Sequence, residues 1–264
     1  MNFSDYKTLA FERRGKVLTI TMNNPDKLNA FSEDAHRELS RAFTDAAEDE
    51  ESEVIVFTGA GRAFTAGGDL AYMQKLRDEP VLMYRTVREA KRIVFSLLDC
   101  EKPVICKVNG DAIGLGTTVA LLSDIVFAAD TARFGDPHNN VALIAGDGGA
   151  VIWPQLIGYA RARHYLFTGE LLGAIDAQAM GLIHAAVPLA ELDEKVDAYV
   201  DRLLKMPIQS IRWTKQTINI GLKQLAHSMM DAGMAYEAMA GQTDDHGEAI
   251  AAFREKRKPV FTGR

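Results

Sequence analysis

Two glycine-rich turns carry the groups in this sequence that are best suited to stabilise a negatively charged oxygen. The first turn, residues 61–70, reads GRAFTAGGDL, and the second lies within residues 102–130, KPVICKVNGDAIGLGTTVALLSDIVFAAD. Each turn follows an apolar strand and leads into a helix, and the first N–H groups of a helix have no intrahelical partner. Two such ends can present two N–H groups to one carbonyl oxygen, as in an oxyanion hole.

A purely structural origin explains a single glycine cluster equally well. Glycine permits close approach of another backbone, so such a cluster is also expected in a tightly packed connection between a strand and a helix. The recurrence of the same strand, turn and helix pattern favours a shared binding role for the two turns.

The elements that must position these turns alternate between strands and helices, which predicts an α/β fold built from repeated ββα units. Ser32 is expected to cap the first helix, because apolar residues recur after it at helical spacing. The remaining predicted elements of the first half are a hairpin of 8–12 and 17–22, strands at 54–58, 104–108 and 125–129, and helices at 117–122 and 80–98.

The second half is predicted to be mainly helical. Pro154 is expected to kink the helix 148–157, and Asp176 to cap a short helix that ends at Gly181. Pro207 marks a predicted boundary between a core, residues 1–206, and a helical region, residues 207–264. Methionines in that region are better explained by a helix–helix or subunit interface than by an adaptable binding face. The other predicted elements are helices at 160–168, 191–205, 208–219, 222–239 and 243–256 and a strand at 182–187.

Composition restricts the classes of function. With 264 residues, 47% hydrophobic and 25% charged, the chain is typical of a globular protein with a sizeable core. The formal net charge of −6 argues against nonspecific nucleic-acid binding, which requires a basic surface. Cys100 and Cys106 provide no disulfide framework, and no apolar run reaches the roughly 18 residues of a membrane span. We therefore expect a cytoplasmic protein with no nucleic-acid or membrane partner.

Five segments together resemble the crotonase (enoyl-CoA hydratase/isomerase) superfamily. They are KLNAF at 27–31, AFTAGGDL at 63–70, the whole of 102–130, FGDP at 134–137 and FREKRK at 253–258. They span nearly the whole chain, and they are specific for the superfamily but not for the reaction. The resemblance implies a spiral of ββα units, C-terminal helices that assemble a trimer or a dimer of trimers, and an acyl-CoA thioester substrate.

The resemblance also implies roles for individual residues. The backbone N–H groups of Gly68 and Leu115 are implied as the oxyanion-hole donors, which would stabilise an enolate-like charge on a thioester. For the basic C-terminal tail, an ordinary solvated chain end is an equally good explanation. No metal and no cofactor other than the coenzyme A of the substrate is implied. The residues implied to contact coenzyme A are Lys27, Leu28, Ala30, Ala66, Asp69, Phe253 and Lys256.

The sequence departs from the superfamily pattern at the acid/base residues. Hydratases that it resembles use two glutamates, and this chain has Thr118 and His138 at those two positions. A threonine hydroxyl is no base near neutral pH, although Thr118 can hold a water or the substrate. An imidazole has an unperturbed pKa near 6.5, so His138 is the candidate base, with a structural role as the alternative.

Asp147 is a further candidate catalytic residue, in the glycine-rich segment AGDGG at 145–149. The aspartate used by isomerases, dehalogenases and hydrolases of the superfamily falls at Gly146, one position earlier. A shift of one residue between this sequence and the superfamily pattern is easily accommodated in a glycine-rich loop. Capping of the helix that follows is an equally good explanation of Asp147. Asp136 is close to His138 in sequence and is expected to orient it.

Three classes of function therefore remain open. The first, which we favour, is hydratase or lyase chemistry on an acyl-CoA with His138 and Asp147 as an atypical acid/base set. The second is another enolate reaction on the same scaffold, namely double-bond isomerisation, C–C cleavage or thioester hydrolysis. The third is a noncatalytic acyl-CoA binder, which the absence of both glutamates would explain.

Overall fold

A six-stranded sheet forms the centre of the protein, with the strand order β1-β2-β3-β4-β6-β9. The structure, a computed structural model, describes residues 3–264. The first two strands pair antiparallel, and every later pair in this sheet is parallel. The strands are β1 (Leu9–Arg14), β2 (Val17–Met22), β3 (Val54–Gly59), β4 (Val104–Val108), β6 (Ile125–Ala129) and β9 (Ala185–Val187).

Helices cover this sheet and join its strands. The parallel strands are apolar because both of their faces are covered, and every residue of β3 is buried. Within the described residues, the helices are α1 (Glu33–Ala47), α2 (Leu70–Asp78), α3 (Val81–Asp99), α4 (Leu115–Leu122), α5 (Gly149–Thr168), α6 (Ala174–Met180), α7 (Leu192–Leu204), α8 (Ile208–Ala240) and α9 (Asp244–Arg254). Together with the predicted strands, this architecture confirms the α/β class with a C-terminal helical region.

A small second sheet, which the sequence patterns did not reveal, holds the loops of the candidate site. It consists of β5 (Ala112–Ile113), β7 (Arg133–Gly135) and β8 (Leu172–Gly173), in the order β5-β7-β8. Strands of two or three residues carry no detectable period, so they are invisible to pattern analysis. The pairing of β5 with β7 brings the second glycine turn next to the FGDP segment.

Several predicted boundaries were wrong. Helix α4 begins at Leu115 rather than at residue 117, and the N-cap of α6 is Gly173 rather than Asp176. Strand β9 is half the predicted length. Pro154 keeps helical φ and ψ, whereas α5 breaks at Gly158, with φ 77° and ψ 157°, which confirms the predicted separation of helices 148–157 and 160–168 at that glycine. Glycine adopts a positive φ at little cost, so the helix breaks there.

The C-terminal region begins with one continuous helix, α8, in place of the two predicted helices 208–219 and 222–239. Its anchor is Lys215, which pairs with Asp124 at 2.7 Å and donates to the carbonyl oxygen of Lys102 at 2.9 Å. These contacts offset the roughly 1 kcal/mol that a glycine such as Gly221 costs within a helix. The division of the chain at Pro207, the N-cap residue of α8, stays a prediction.

The methionines of α8 support the predicted helix–helix interface. Met230 and Met234 are buried against the core, whereas Met239 is exposed. Within residues 3–264, none of the helices combines the length and the apolar character that crossing a bilayer requires.

Candidate active site

A cavity of about 680 Å³ lies between the two glycine turns, the first turns of α1 and α2, and the C-terminal helices. Most of its wall is apolar. The candidate catalytic groups that line it are Gly68, Leu115, His138, Asp147 and Glu237. One cavity therefore brings together both glycine turns and residues from distant parts of the chain.

The two glycine turns face each other across this cavity. Phe31 pairs with the first turn, since its N–H donates to Gly67 at 2.8 Å and its carbonyl accepts from Asp69 at 3.2 Å. Gly114 is the N-cap of α4, with φ 57° and ψ −128°, a conformation that few residues other than glycine adopt. A methyl group built on Gly114 would lie 3.7 Å from His138 Cε1 and 4.0 Å from Gly67 Cα. The two turns and the imidazole thus converge on one point.

The N–H groups of Gly68 and Leu115 are available at this point. Leu115 is the first residue of α4, so its N–H has no acceptor one turn earlier. Neither N–H donates a backbone hydrogen bond to another residue of the described chain. The pair therefore has the features that an oxyanion hole requires.

His138 is held between two carboxylates. Its Nδ1 hydrogen-bonds Asp136, and its Nε2 lies 3.5 Å from Asp147 Oδ2. Asp136 and Asp147 are both buried. The oxygen and nitrogen atoms of this group lie within 4.8 Å of one another, but the two ring nitrogens face different carboxylates. The arrangement suits proton transfer along an aspartate–histidine–aspartate chain.

The pKa of His138 differs from the value near 6.5 that is expected of an unperturbed imidazole. Burial alone would lower the pKa of the imidazole, but the charges of Asp136 and Asp147 outweigh it and hold the pKa well above 6.5. The raised pKa favours the protonated form of His138, which has no lone pair with which to accept a proton. Burial also raises the pKa of Asp147, while the positive charge of His138 opposes that rise.

The loop that carries Asp147 packs directly on α8. A Cβ atom at Gly146 would lie 2.4 Å from the carbonyl oxygen of Gly233 and 2.9 Å from Glu237 Oε2. Only a glycine allows this approach, so an aspartate cannot occupy position 146 in this packing. The N-cap of α5 is Gly148, without a side-chain cap. The N–H of Gly149, the first residue of α5, nevertheless interacts with the Asp147 carboxyl and acts to lower its pKa, so the capping role of Asp147 stays a prediction.

Glu237 is the candidate residue that the sequence patterns missed. It lies on α8 and lines the cavity, and its Oε2 atom is buried without a hydrogen-bond partner. Burial raises its pKa to about 8, and the charge of Asp147 adds to the effect. A signal for it exists in the sequence: Met230, Met234 and Glu237 follow helical spacing, which places a carboxyl group on a buried helix face.

Thr118 does not reach the cavity. Its side chain is fully buried, and its hydroxyl oxygen has no hydrogen-bond partner in the described chain. A Cβ atom at Gly148 would lie 2.8 Å from Thr118 Cγ2, which places the threonine behind the loop of Asp147. The structure therefore does not support the expectation that Thr118 contacts the substrate.

The residues implied to contact coenzyme A are only partly brought together. Lys27, Ala30, Ala66, Asp69 and Phe253 line the cavity. Asp69 also caps α2, because its side chain accepts from the N–H of Tyr72 at 2.9 Å.

Two of the expected coenzyme A contacts lie elsewhere. Leu28 lines a neighbouring cavity, one that it shares with Ala66. Lys256 lines neither cavity, and the adjacent Arg257 takes its place in the wall of the larger one. Because Lys256 has a positive φ of 55°, the chain turns there and its side chain leaves the wall.

His246 is a second residue that sequence reasoning missed. Its Nδ1 lies 2.6 Å from the carbonyl oxygen of Val141, so that nitrogen carries the proton and donates it. The contact ties α9 to the 3-10 helix His138–Val141, which begins with the central imidazole. The C-terminal region thus helps to fix the position of His138.

Comparisons with known proteins agree with this geometry. The family model for enoyl-CoA hydratase/isomerase matches residues 12–264. The 1,2-epoxyphenylacetyl-CoA isomerase of Escherichia coli (strain K12) is 34% identical over 250 residues, 94% of this chain and 95% of the relative.

Two solved structures extend the comparison. An enoyl-CoA hydratase/isomerase from Mycobacterium paratuberculosis has a TM-score of 0.89 at 35% identity, covering 94% of this chain and 99% of that one. A beta-diketone hydrolase from the cyanobacterium Anabaena sp. PCC 7120, bound to (S)-3-oxocyclohexyl acetic acid, has a TM-score of 0.85 at 32% identity, covering 91% and 96%.

The fold and the paired glycine turns define a crotonase-type enzyme. The chain belongs to the enoyl-CoA hydratase/isomerase family.

Proposed function

We propose that the protein acts on acyl-CoA thioesters and adds water to a 2-enoyl-CoA, using Asp147 and Glu237 as its acid/base pair. The observation that carries this proposal is that two carboxyl groups, those of Asp147 and Glu237, line one cavity with the paired glycine turns. The two glutamates missing at Thr118 and His138 are thereby replaced from other parts of the chain. This replacement removes the main argument for a noncatalytic binder.

The thioester carbonyl would accept hydrogen bonds from the N–H groups of Gly68 and Leu115. These donors stabilise the negative charge that moves onto the oxygen when a nucleophile adds to the β-carbon. No protonation of the carbonyl is needed, because the two fixed dipoles already favour the enolate.

Asp147 is the proposed base. Burial raises the pKa of Asp147, and the positive charge of His138, 3.5 Å away, opposes that rise and so favours the carboxylate. Water gives a proton to Asp147 as its oxygen bonds to the β-carbon, and the π electrons of the alkene move to the thioester oxygen. Asp136 holds the imidazolium in place through the other ring nitrogen.

Glu237 is the proposed acid. With a pKa of about 8 it is neutral at pH 7 and can give its proton to the α-carbon of the enolate. Solvent then returns a proton to Glu237 and removes one from Asp147.

The coenzyme A moiety would leave the cavity past Lys27 and Arg257, whose positive charges suit its phosphates. No other cofactor is proposed.

The experiment that tests the proposed function has two readouts. Titration calorimetry with crotonyl-CoA should show binding at or below millimolar ligand, and mass spectrometry should show a gain of 18 Da in the product of a 2-enoyl-CoA. Incubation with a panel of enoyl-, dienoyl-, aryl- and hydroxyacyl-CoA thioesters defines the acyl group. Absence of binding by a folded sample would contradict the assignment to acyl-CoA chemistry.

Hydrolytic C–C cleavage of a β-dicarbonyl compound is a second candidate function. It is favoured by the similarity to the beta-diketone hydrolase and by a histidine held between two carboxylates. Water would attack one carbonyl carbon with Asp147 as base, the bond to the central carbon would break, and Glu237 would protonate the departing enolate. The same mass measurement separates the candidates, since cleavage gives two fragments from a diketone and hydration gives one product.

For the assembly we propose a homotrimer or a dimer of trimers, through α8 and neighbouring surfaces. Large apolar side chains are exposed there, among them Trp213, Ile218 and Tyr236. Several large apolar side chains exposed on one helix are expected at an interface. Light scattering at micromolar concentration should give about three or six times the 29.0 kDa of the chain. A mass of one chain would contradict the proposed assembly.

The proposed location is the cytoplasm. Cys100 and Cys106 are both free and buried, which agrees with a reducing compartment.

A further inference from the structure

A buried ion pair lies in the cavity wall apart from the groups that the proposed mechanism uses. His36 Nδ1 lies 2.9 Å from Glu89 Oε2, and both side chains are almost inaccessible, with 8% and 5% exposure. The pair joins α1 to α3. Glu89 also lies 3.5 Å from Arg85, so its negative charge has a second partner.

The orientation of the His36 ring follows from these contacts. Nδ1 faces a carboxylate and therefore carries a proton that it donates. The opposite nitrogen, Nε2, has no hydrogen-bond partner in the described chain. It is not completely enclosed by other atoms either. Because His36 lines the cavity, Nε2 opens onto it.

The position of His36 places this nitrogen beyond the oxyanion hole. His36 lies in the first turn of α1, whose N-cap Ser32 follows Phe31, the residue that pairs with Gly68. The charge of His36 acts to lower the pKa of Asp147, so the imidazole and the carboxylate share one cavity. In the wall of the cavity, Arg257 follows α9 at the C-terminal end of the chain, whereas His36 lies on α1 and is paired with Glu89 on α3.

Two hydroxyl groups extend the polar patch around His36. Tyr72 and Thr86 line the same cavity, and their side-chain oxygens lie 2.7 Å apart. The rings of Tyr72 and His36 are separated by 6.4 Å. A purely aliphatic acyl chain would leave this nitrogen without a hydrogen bond, which costs binding free energy.

We propose that His36, oriented by Glu89, binds an oxygen atom at the distal end of the substrate's acyl group. The preferred substrates are then acyl thioesters with a distal ketone, hydroxyl or carboxylate, rather than plain fatty acyl thioesters. This inference rests on the proposed acyl-CoA function and defines its substrate class. A carboxylate or ketone accepts from a protonated Nε2, and a hydroxyl can donate to a neutral one.

The test compares thioesters of equal chain length that end in a methyl group or in one of the three oxygen groups. Wild-type protein should bind at least one oxygenated member of a pair about 10- to 100-fold more tightly by calorimetry, the usual size of a hydrogen bond to a charged group. Comparison of the thioesters that end in a ketone, a hydroxyl or a carboxylate identifies which of these groups the protein recognises.

Two variants separate recognition from structure. In His36→Asn the amide nitrogen takes the place of Nδ1 and retains the contact with Glu89, but nothing replaces Nε2. In His36→Gln the amide reaches the place of Nε2. The affinity ratio between oxygenated and methyl-terminated ligands should fall to about one in His36→Asn and be largely retained in His36→Gln. Glu194→Gln, an exposed change on α7, is the matched control and should retain the wild-type ratio.

The outcomes distinguish the inference from the function on which it rests. Equal affinity of wild type for every member of a pair, or an unchanged ratio in His36→Asn, would overturn the role of His36 only. Failure of all thioesters to bind, methyl-terminated ones included, would overturn the proposed function and this inference with it.

Discussion

Replacement of Glu237 by glutamine is expected to lower kcat on the order of 10²–10⁴-fold, the usual contribution of a general acid. At pH 7 the wild-type side chain is neutral, because its pKa is about 8. Glutamine therefore matches its shape and charge but has no proton that it can give to carbon. Stopped assays of product formation at saturating substrate measure the effect, and thermal melts should show an unchanged Tm.

The pH dependence provides an independent check on Glu237. The acid form is present below about pH 8, so the rate of the protonation step should fall as the pH rises through that value. Glu237→Gln should lack this limb of the profile. Glu194→Gln should keep both the rate and the limb, since it removes an exposed carboxylate. Full activity of Glu237→Gln would exclude Glu237 as the acid.

The second large effect is expected for Asp147→Asn, also on the order of 10²–10⁴-fold in kcat. An asparagine side chain can hold a water molecule but cannot take its proton. The charge of Asp147 also acts on the buried His138, and its carboxyl interacts with the N–H of Gly149, so some fall in Tm is expected as well. A large fall in turnover in a protein that still folds and binds the thioester is therefore predicted.

The variant His138→Gln tests whether His138 acts as a positive charge beside Asp147 or is itself the base. The positive charge of His138 opposes the rise in the pKa of Asp147, and glutamine removes that charge. Asp147 then remains protonated to a higher pH, so the ascending limb of the pH–rate profile should move to higher pH in this variant. A limb that disappears, with no shift, would instead identify His138 itself as the base.

The sequence was sufficient for the central architecture and for the family. Strands such as β3 and β4 are apolar along their whole length, and glycine turns follow them, so local patterns and tertiary structure agree. The cavity likewise contains Gly68 and Leu115, as the resemblance implied. Their roles as donors stay predictions until activity is measured.

The acid/base set could not be obtained in full from the sequence. Glu237 is separated from His138 by about a third of the chain, and only the contact between Gly146 and Gly233 brings α8 to the loop of Asp147. The charge of His138 also depends on tertiary structure, because two carboxylates and burial act on it at once. The direction of the pKa shift of His138 therefore could not be obtained from the sequence, and its catalytic role stays a prediction.

The central claim is that two carboxyl groups divide the proton transfers, with Glu237 acting at the α-carbon and Asp147 on water. Exchange of the α-protons of butyryl-CoA in D₂O, followed by NMR, isolates the first transfer because no water is added. In wild type the exchange rate should rise with pH through about 8, as Glu237 becomes a carboxylate. Exchange should fall at least about 100-fold in Glu237→Gln and persist in Asp147→Asn, with binding retained in both. Exchange that persists in Glu237→Gln but is lost in Asp147→Asn would contradict this division.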